Sequence, residues 1–180
     1  MSKNKISLPT SIETNRTKLT QLKKEDAEHI KPIFKQKETL RWLQTPTLNK
    51  KQVEEVIKQK IQNKKTLAYI ATTRATKRRI GLIELTNIDI QNQKAMIGYI
   101  LRKQYWGRGY ATELVKNLTR HTFKHLHRLT AHIHAGNTES MNVLEKNGYK
   151  EEGILRDNVL LNNQRHDTYI YAALSTEWNQ

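Results

Sequence analysis

The stretch that decides the fold is QYWGRGYATELV, residues 104–115, in which two glycines flank an arginine ahead of a helical apolar pattern. The chain has only seven glycines, so two of them at one joint indicate a special backbone. Glycine permits positive φ and lets a ligand approach the main chain closely. The first N–H groups of a helix lack intrahelical acceptors, and the helix dipole favours negative charge beside them. With Arg108 added, the joint predicts an anion site suited to phosphate or pyrophosphate.

Two common phosphate-binding motifs do not fit this joint. A Walker loop requires Lys-Ser or Lys-Thr after its last glycine, and here Tyr110 and Ala111 follow it. A dinucleotide fingerprint requires a third glycine after the first strand of a parallel sheet, and Thr112 stands at that position, far along the chain. The GxGxA sequence taken alone is also compatible with an ordinary tight joint between a strand and a helix.

Hydrophobic periodicity on both sides of the joint predicts a mixed α and β domain. The predicted elements are a strand at 16–22, a helix at 23–43 divided at Pro32, a helix at 50–65 with Val53, Val56, Ile57 and Ile61 on one face, strands at 66–73, 79–90 and 94–101, a helix at 107–126, a strand at 128–135, a short helix at 138–148 ended by Gly148, and two strands in 149–174 around an NN turn. A strand, a long helix and a strand imply a right-handed parallel crossover within an otherwise antiparallel sheet. The fold class is therefore α+β, with one domain over residues 16–180 and a flexible basic arm over residues 1–15.

Composition limits the classes of function. The chain contains no cysteine, which excludes disulfides and thiolate metal sites, and no apolar run suggests a membrane span or signal peptide. We therefore expect a cytoplasmic protein without membrane association. The formal charge of +15 favours anionic partners, including nucleic acid, although evenly spread lysines on a solvated face explain it equally well. His121 and His125 have the i, i+4 spacing of metal ligands but lack a third ligand, so no metal is expected; His132 and His134 share a strand face and are expected to be structural.

Three blocks together resemble the GNAT superfamily of acetyl-coenzyme A-dependent N-acetyltransferases: IGYILRKQYWGRGYATELV (97–115), NTESMNVLEKNGYKEEGILRD (137–157) and RHDTYIYAAL (165–174). The chain is most similar to the ribosomal-protein N-terminal acetyltransferase branch (RimJ/RimL-like) and resembles it from about residue 16 to residue 178. The resemblance implies a twisted, mostly antiparallel sheet with one splayed parallel strand pair, flanked by helices. It also implies acetyl-coenzyme A as cosubstrate and no metal.

The resemblance assigns the joint to the pyrophosphate of coenzyme A. The family's binding loop maps onto residues 106–111, with Trp106 in place of the usual Gln or Arg. The pantetheine arm is expected to pair with the main chain of the preceding strand, and an asparagine after the next strand is expected to contact the cofactor. The residues so assigned are Ile100, Leu101, Arg102, Trp106, Gly107, Arg108, Gly109, Tyr110, Ala111, Thr112 and Asn137.

The catalytic assignments are less direct. Ser140 takes the place of a serine proposed to hydrogen-bond or protonate the departing sulfur, whereas the tyrosine that many relatives use is Leu144 here. The alternative is that Ser140, which precedes an apolar run, helps to cap a helix. The glutamate that faces the acceptor in this branch is replaced by Met96. Glu84, on the strand expected to pair with Met96, is a substitute base or else an ordinary solvent-facing residue.

Four residues are assigned to the acceptor side. Trp42 matches an aromatic at the acceptor mouth, or else forms the edge of an amphipathic helix, and Met96 occupies the position of the lost glutamate. His166 and Asp167 match a family signature, and Asp167 in such a position more often orients local structure than touches substrate.

The missing carboxylate base bears on the identity of the acceptor. An α-amine has a pKa near ~8 and a lysine side chain ~10.4, so deprotonating lysine costs about 3 kcal/mol more. The sequence therefore favours the N-terminal α-amine of a protein, including a ribosomal protein, since a basic surface suits approach to an rRNA-coated particle. The alternatives are a small-molecule amine and a non-catalytic RNA- or ribosome-binding module that keeps the fold. Both a monomer and a homodimer are compatible with the sequence.

Overall fold

The computed structural model describes residues 6–43, 46–161 and 163–179, and its elements are built around one sheet. The strands are β1 (Ser11–Glu13), β2 (Thr17–Gln21), β3 (Leu67–Thr73), β4 (Arg79–Asp89), β5 (Lys94–Leu101), β6 (Arg128–His134), β7 (Lys150–Leu161) and β8 (Gln164–Leu174). The α-helices are α1 (Ala27–Ile30), α2 (Lys37–Leu40), α3 (Lys50–Gln62), α4 (Tyr110–Thr122) and α5 (Thr138–Glu145), with 3₁₀ turns at Lys24–Asp26, Ile33–Lys35 and Lys103–Tyr105. Among the helices so described, none is long and apolar enough to cross a bilayer.

The sheet has the order β1-β2-β3-β4-β5-β6-β8-β7, and every neighbouring pair is antiparallel except β5 and β6. The parallel pairing runs from Lys94 opposite Arg128 only as far as Met96 opposite Thr130. Beyond that pair, β5 and β6 separate and leave a space that we call the strand gap. The predicted α+β class is thus confirmed, and so are the crossover through α4 and the splayed parallel pair.

Two hydrophobic clusters pack on opposite faces of the sheet because strand residues alternate between faces. Ile83 and Leu85 of β4 face one cluster, which also contains Leu114 and Leu118 of α4. Leu82 of β4 faces the other, where its neighbours come mainly from α1, α2 and α3. The amphipathic helices are therefore stabilised chiefly by burial against the sheet.

The prediction of a flexible arm over residues 1–15 is wrong from Ile6 onward. Ile6, Leu8 and Ile12 are buried, and β1 pairs with β2 through Ile12 opposite Leu19. The reason is tertiary, since the apolar residues form too short a run to show a period and gain their burial from the sheet. Residues 1–5 lie outside the described residues, as do 44–45 of the predicted polar turn and 162 of the predicted NN turn.

The first predicted helix is divided at Pro32, as expected, into short helical pieces on either side. Asn49 caps the start of α3, since its side chain accepts a hydrogen bond from the Gln52 N–H at 3.1 Å. Val53 and Ile57 are buried, but Ile61 is 42% exposed, so the predicted apolar face extends one turn too far.

Candidate active site

A cavity of about 310 Å³ opens at the strand gap. The end of β5, the glycine turn (residues 106–111), the start of α5 and the segment after α2 form its walls. Of the eleven residues predicted to bind the cofactor, all but Arg102 and Arg108 line it: Ile100, Leu101, Trp106, Gly107, Gly109, Tyr110, Ala111, Thr112 and Asn137. The fold thus brings the separately predicted parts of the site together.

The glycine turn has the backbone of an anion site. Gly107 and Gly109 have φ of +67° and +73°, a region that residues with a Cβ rarely adopt. Gly109 is the N-cap of α4, and the first intrahelical bond runs from the Glu113 N–H to the Gly109 carbonyl at 3.1 Å. The N–H groups of residues 110–112 therefore have no acceptor within the helix and carry the positive end of its dipole.

Trp106 closes the base of the glycine turn. Its indole Nε1–H donates to the Leu101 carbonyl at 2.8 Å, although the ring is 38% exposed. Trp106 thus ties the turn back to the end of β5.

The register of β5 corrects the predicted pantetheine contacts by one residue. The Arg102 N–H donates to the Ile80 carbonyl at 2.9 Å. Because bonded and non-bonded pairs alternate along an antiparallel ladder, the main-chain groups of Ile100 point to β4 as well. Tyr99 and Leu101 turn their main-chain groups toward the strand gap. The main-chain groups of Ile100 and Arg102 therefore face β4, contrary to their assignment to a ligand, and Tyr99 is the further residue whose main chain faces the gap.

Tyr99 is a cavity residue that sequence reasoning missed. Its hydroxyl donates to the Ser140 carbonyl at 3.3 Å and so joins β5 to α5 across the strand gap. Burial raises the pKa of Tyr99 to about 12, and a hydrogen bond with the Ser140 side chain opposes this only in part, so the phenol is neutral. The sequence did carry a signal for Tyr99, because it lies two residues before Leu101 in the predicted strand and strand residues two apart share one orientation.

Asn137 and Ser140 have separate roles at the start of α5. The Asn137 side-chain oxygen accepts from the Ser140 N–H at 3.3 Å, so Asn137 is the cap. Ser140 lines the cavity, and its side chain forms a hydrogen bond with the Tyr99 phenol. Its role as acid stays a prediction.

Glu84 does not line the cavity. Both of its carboxylate oxygens accept from the Lys60 ammonium, at 2.8 and 2.7 Å, and both side chains are about a quarter exposed. Glu84 lies opposite Gly98 on β5, on the sheet face that carries α3. Neither earlier interpretation holds, since Glu84 is neither a free base nor a solvent-facing residue. Met96, paired with Thr130 before the strands part, is also outside the cavity wall.

Trp42 lines the cavity, as predicted for a residue at its mouth. The Arg41 guanidinium stacks over its ring at 4.1 Å, and the ring would lie 3.6 Å from a Cβ placed on Gly136. Trp42 therefore packs on the connection between β6 and α5, close to the capping residue Asn137.

The remaining predicted acceptor residues, His166 and Asp167, lie on β8 and are not among the residues that line the cavity. Asp167 orients local structure, because its Oδ1 accepts from the Asp157 N–H and its carbonyl from the Ala135 N–H, both at 2.9 Å. His166 lies near His134, whose pKa is lowered first by burial and then by the His166 and His132 imidazoles. The described ranges contain no grouping of His, Asp or Glu that could hold a metal.

A second, open cavity of about 890 Å³ adjoins the first beside the glycine turn, and Gly109, Thr112 and Lys146 border both. Its wall is strongly basic, with the cationic residues Arg16, Arg74, Lys116, Arg120 and Lys146. Clustered cations raise the local concentration of anions. The two cavities together therefore suit an elongated ligand with a thioester arm at one end and phosphates at the other.

The comparisons with known proteins agree with this geometry. A family model described as "Acetyltransferase (GNAT) domain" matches residues 16–150. The chain is 37% identical over 100 residues to the "Putative ribosomal N-acetyltransferase YdaF" of Bacillus subtilis (strain 168), covering 54% of this chain and 55% of that protein. The chain spans little more than half the length of the curated relatives that it matches first.

Two solved structures show the same fold. One is the spermidine N-acetyltransferase of Vibrio cholerae in complex with CoA and spermine, with a TM-score of 0.83, 22% identity and coverage of 90% of this chain and 97% of that chain. The other is RimL, a ribosomal L7/L12 alpha-N-protein acetyltransferase in complex with coenzyme A, with a TM-score of 0.83, 20% identity and coverage of 91% and 97%. Glycine turn, strand gap and family match agree, and the chain belongs to the GNAT acetyltransferase family.

Proposed function

We propose that this chain is an acetyl-coenzyme A-dependent N-acetyltransferase whose acceptor is the N-terminal α-amine of a protein, including a ribosomal protein. The observation that carries the proposal is the continuity of the site. The start of α4 with its open N–H groups, the end of β5 at the strand gap, and Trp42 all line one cavity. Donor and acceptor can therefore meet in one reaction space.

The residues of the site divide the work of acetyl transfer. The N–H groups of residues 110–112 hold the diphosphate, and the outward main-chain groups of Tyr99 and the Leu101 N–H pair with the pantetheine arm, since the Leu101 carbonyl is held by Trp106. Positioning both reactants in one cavity supplies much of the acceleration. A strand N–H facing the gap can stabilise the oxygen that becomes negative as the amine attacks.

Ser140 is suited to the final step. When the C–N bond forms and the C–S bond breaks, the departing sulfur becomes a thiolate that needs a proton. Ser140 lies in the cavity wall beside the Tyr99 phenol, and its hydroxyl can donate a hydrogen bond to that sulfur. The nitrogen loses its proton to solvent, because Glu84 is held by Lys60.

The charges around the cavity favour an α-amine. Glu139, on the first turn of α5, is the one carboxylate among the described residues that form the wall, and Lys146 stands in the same wall. A polyamine needs several carboxylates to balance its charges. An α-amine with a pKa near ~8 is also already partly neutral at pH 7, unlike lysine at ~10.4. We further propose that the protein acts in the cytoplasm, where such N-termini are made.

A small polycationic amine is the second candidate, because a protein of the same fold is named a spermidine N-acetyltransferase. The single carboxylate in the described wall argues against it. A non-catalytic RNA-binding module is the third reading, and the basic second cavity supports it. That reading requires RNA binding with a steep dependence on salt and no release of thiol.

The test is thiol release from acetyl-coenzyme A with a matched acceptor panel, with products identified by mass spectrometry. The panel contains peptides with a free N-terminus and no lysine, the same peptides blocked at the N-terminus and carrying one lysine, and spermidine. We expect the free N-terminal peptides to react at least about tenfold faster, since their amines are easier to deprotonate. Faster reaction of the blocked lysine peptides or of spermidine would refute the assignment of the acceptor.

A further inference from the structure

The turn between β1 and β2 grips the first turn of α4, a contact between segments far apart in sequence. The Glu113 carboxylate accepts from the Arg16 N–H at 2.9 Å and from the Arg16 Nε at 2.7 Å. The hydroxyl groups of Thr14 and Thr17 donate to the same carboxylate. Glu113 belongs to the first turn of α4, so these bonds fix the helix end that carries the open N–H groups.

Arg16 reaches beyond Glu113 to the glycine turn itself. Its Nη1 donates to the Arg108 carbonyl at 2.8 Å, and its guanidinium lies over the Tyr110 ring at 4.6 Å. In a planar trans peptide the carbonyl and the following N–H point in opposite directions. Holding the Arg108 carbonyl toward Arg16 therefore turns the Gly109 N–H away from Arg16.

The β1–β2 turn is itself anchored on its other side. The Arg74 N–H donates to the Arg16 carbonyl at 2.8 Å, and the Arg74 Nη1 donates to the Thr14 carbonyl at 3.0 Å. The turn is thus fixed between the end of β3 and α4, and it acts as a rigid support rather than a loose loop.

The charge of Arg16 is already balanced. Burial acts to raise the pKa of Glu113, but hydrogen bonds from Thr14 and Arg16 outweigh it and the pKa is lowered. Glu113 is therefore ionised at neutral pH and pairs with Arg16. Of the five N–H donors of the Arg16 guanidinium, the Nε–H is engaged by this carboxylate and one Nη1–H by the Arg108 carbonyl.

We propose that Arg16 and Glu113 are positioning residues that hold the glycine turn in the conformation that binds the diphosphate of coenzyme A. The proposal rests on the donor assigned under the proposed function. It predicts that losing the contact weakens binding of the diphosphate part of the ligand and leaves the pantetheine part unaffected.

The test compares Arg16→Gln with Lys18→Gln, which removes the same charge from the same hairpin. Lys18 makes an exposed ion pair with Glu13, at 3.4 Å on the same hairpin. Calorimetry measures the dissociation constants for coenzyme A and for pantetheine, which lacks the diphosphate. We expect Arg16→Gln to weaken coenzyme A binding about tenfold, as for lost charge-assisted hydrogen bonds, and pantetheine binding less than about twofold. Lys18→Gln should change both less than about twofold.

Three results would overturn the proposal. Equal weakening of coenzyme A by both variants would mean that only long-range charge matters. Equal weakening of coenzyme A and pantetheine by Arg16→Gln would mean general damage to the fold. If Arg16→Gln does not fold, Arg16→Lys replaces it, because lysine keeps the positive charge but lacks the forked guanidinium. The third result is a coenzyme A affinity of Arg16→Lys equal to that of the unaltered protein. Failure of the unaltered protein to bind coenzyme A would instead refute the proposed function.

Discussion

Gly81 on β4 is the position where one added methyl group should disturb the cofactor strand most. A Cβ at Gly81 would lie 2.2 Å from the Ile100 carbonyl oxygen and 2.4 Å from Leu101 Cδ2. The Leu101 side chain can rotate away, but the carbonyl is main chain. Reaching an ordinary contact of 3.4 Å from 2.2 Å requires β5 to move by 1.2 Å.

This displacement predicts two measurable losses for Gly81→Ala. Overpacking of this kind costs about 1–3 kcal/mol, which should appear in the free energy of unfolding measured with urea. Ile100 and Leu101 also line the cavity, so the shift moves the donor strand. Because a misplacement of about 1 Å can cost on the order of 100-fold in rate, acetyl transfer should fall by more than stability alone explains.

Gly98, on the strand paired with β4, is the matched control. Its Cβ would meet only the Glu84 Cγ, at 3.9 Å, which is ordinary contact. Gly98→Ala should leave the free energy of unfolding unchanged or raise it by about 0.4–1 kcal/mol, since alanine restricts the unfolded chain. If Gly81→Ala unfolds at the same urea concentration as the unaltered protein, or if both variants lose stability equally, the β4–β5 register argued above is wrong.

Three further predictions follow from the site. Glu84→Gln should change steady-state acetyl transfer less than about threefold, because Lys60 already holds the carboxylate, and a loss of on the order of 100-fold would restore Glu84 as the base. Burial lowers the pKa of His134, so as pH falls this histidine is protonated in the unfolded chain before it is protonated in the folded protein. The folded state should therefore lose stability between pH 7.5 and 5.5. The accompanying fall in melting temperature should be smaller in His134→Asn. Equal falls would contradict this. Asn137→Ala should lower the free energy of unfolding by about 1 kcal/mol, because it removes the side-chain oxygen that caps the Ser140 N–H. Asn137→Asp keeps that oxygen and should retain most of the stability, which thermal melts of both variants measure.

The sequence by itself determined the elements and the anion-binding joint of this protein. Residues 104–115 specify a strand-to-helix joint through local features, namely two glycines and a helical apolar period. Such signals depend on neighbours a few residues apart, so periodicity located β5, α4 and β6 and implied the parallel crossover between them. Ser140 and Trp42 could also be selected as candidates from the sequence, because matching a family motif needs only the order of residues along the chain.

The tertiary structure alone decided how these elements meet. Arg16 and Glu113 are 97 positions apart in the chain, and Glu84 forms an ion pair with Lys60 of α3, which packs on that face of the sheet. The register that faces Tyr99 toward the strand gap is likewise set by pairing with β4. No local period encodes such contacts, because each depends on the packing of segments whose separation along the chain carries no information about their distance in space.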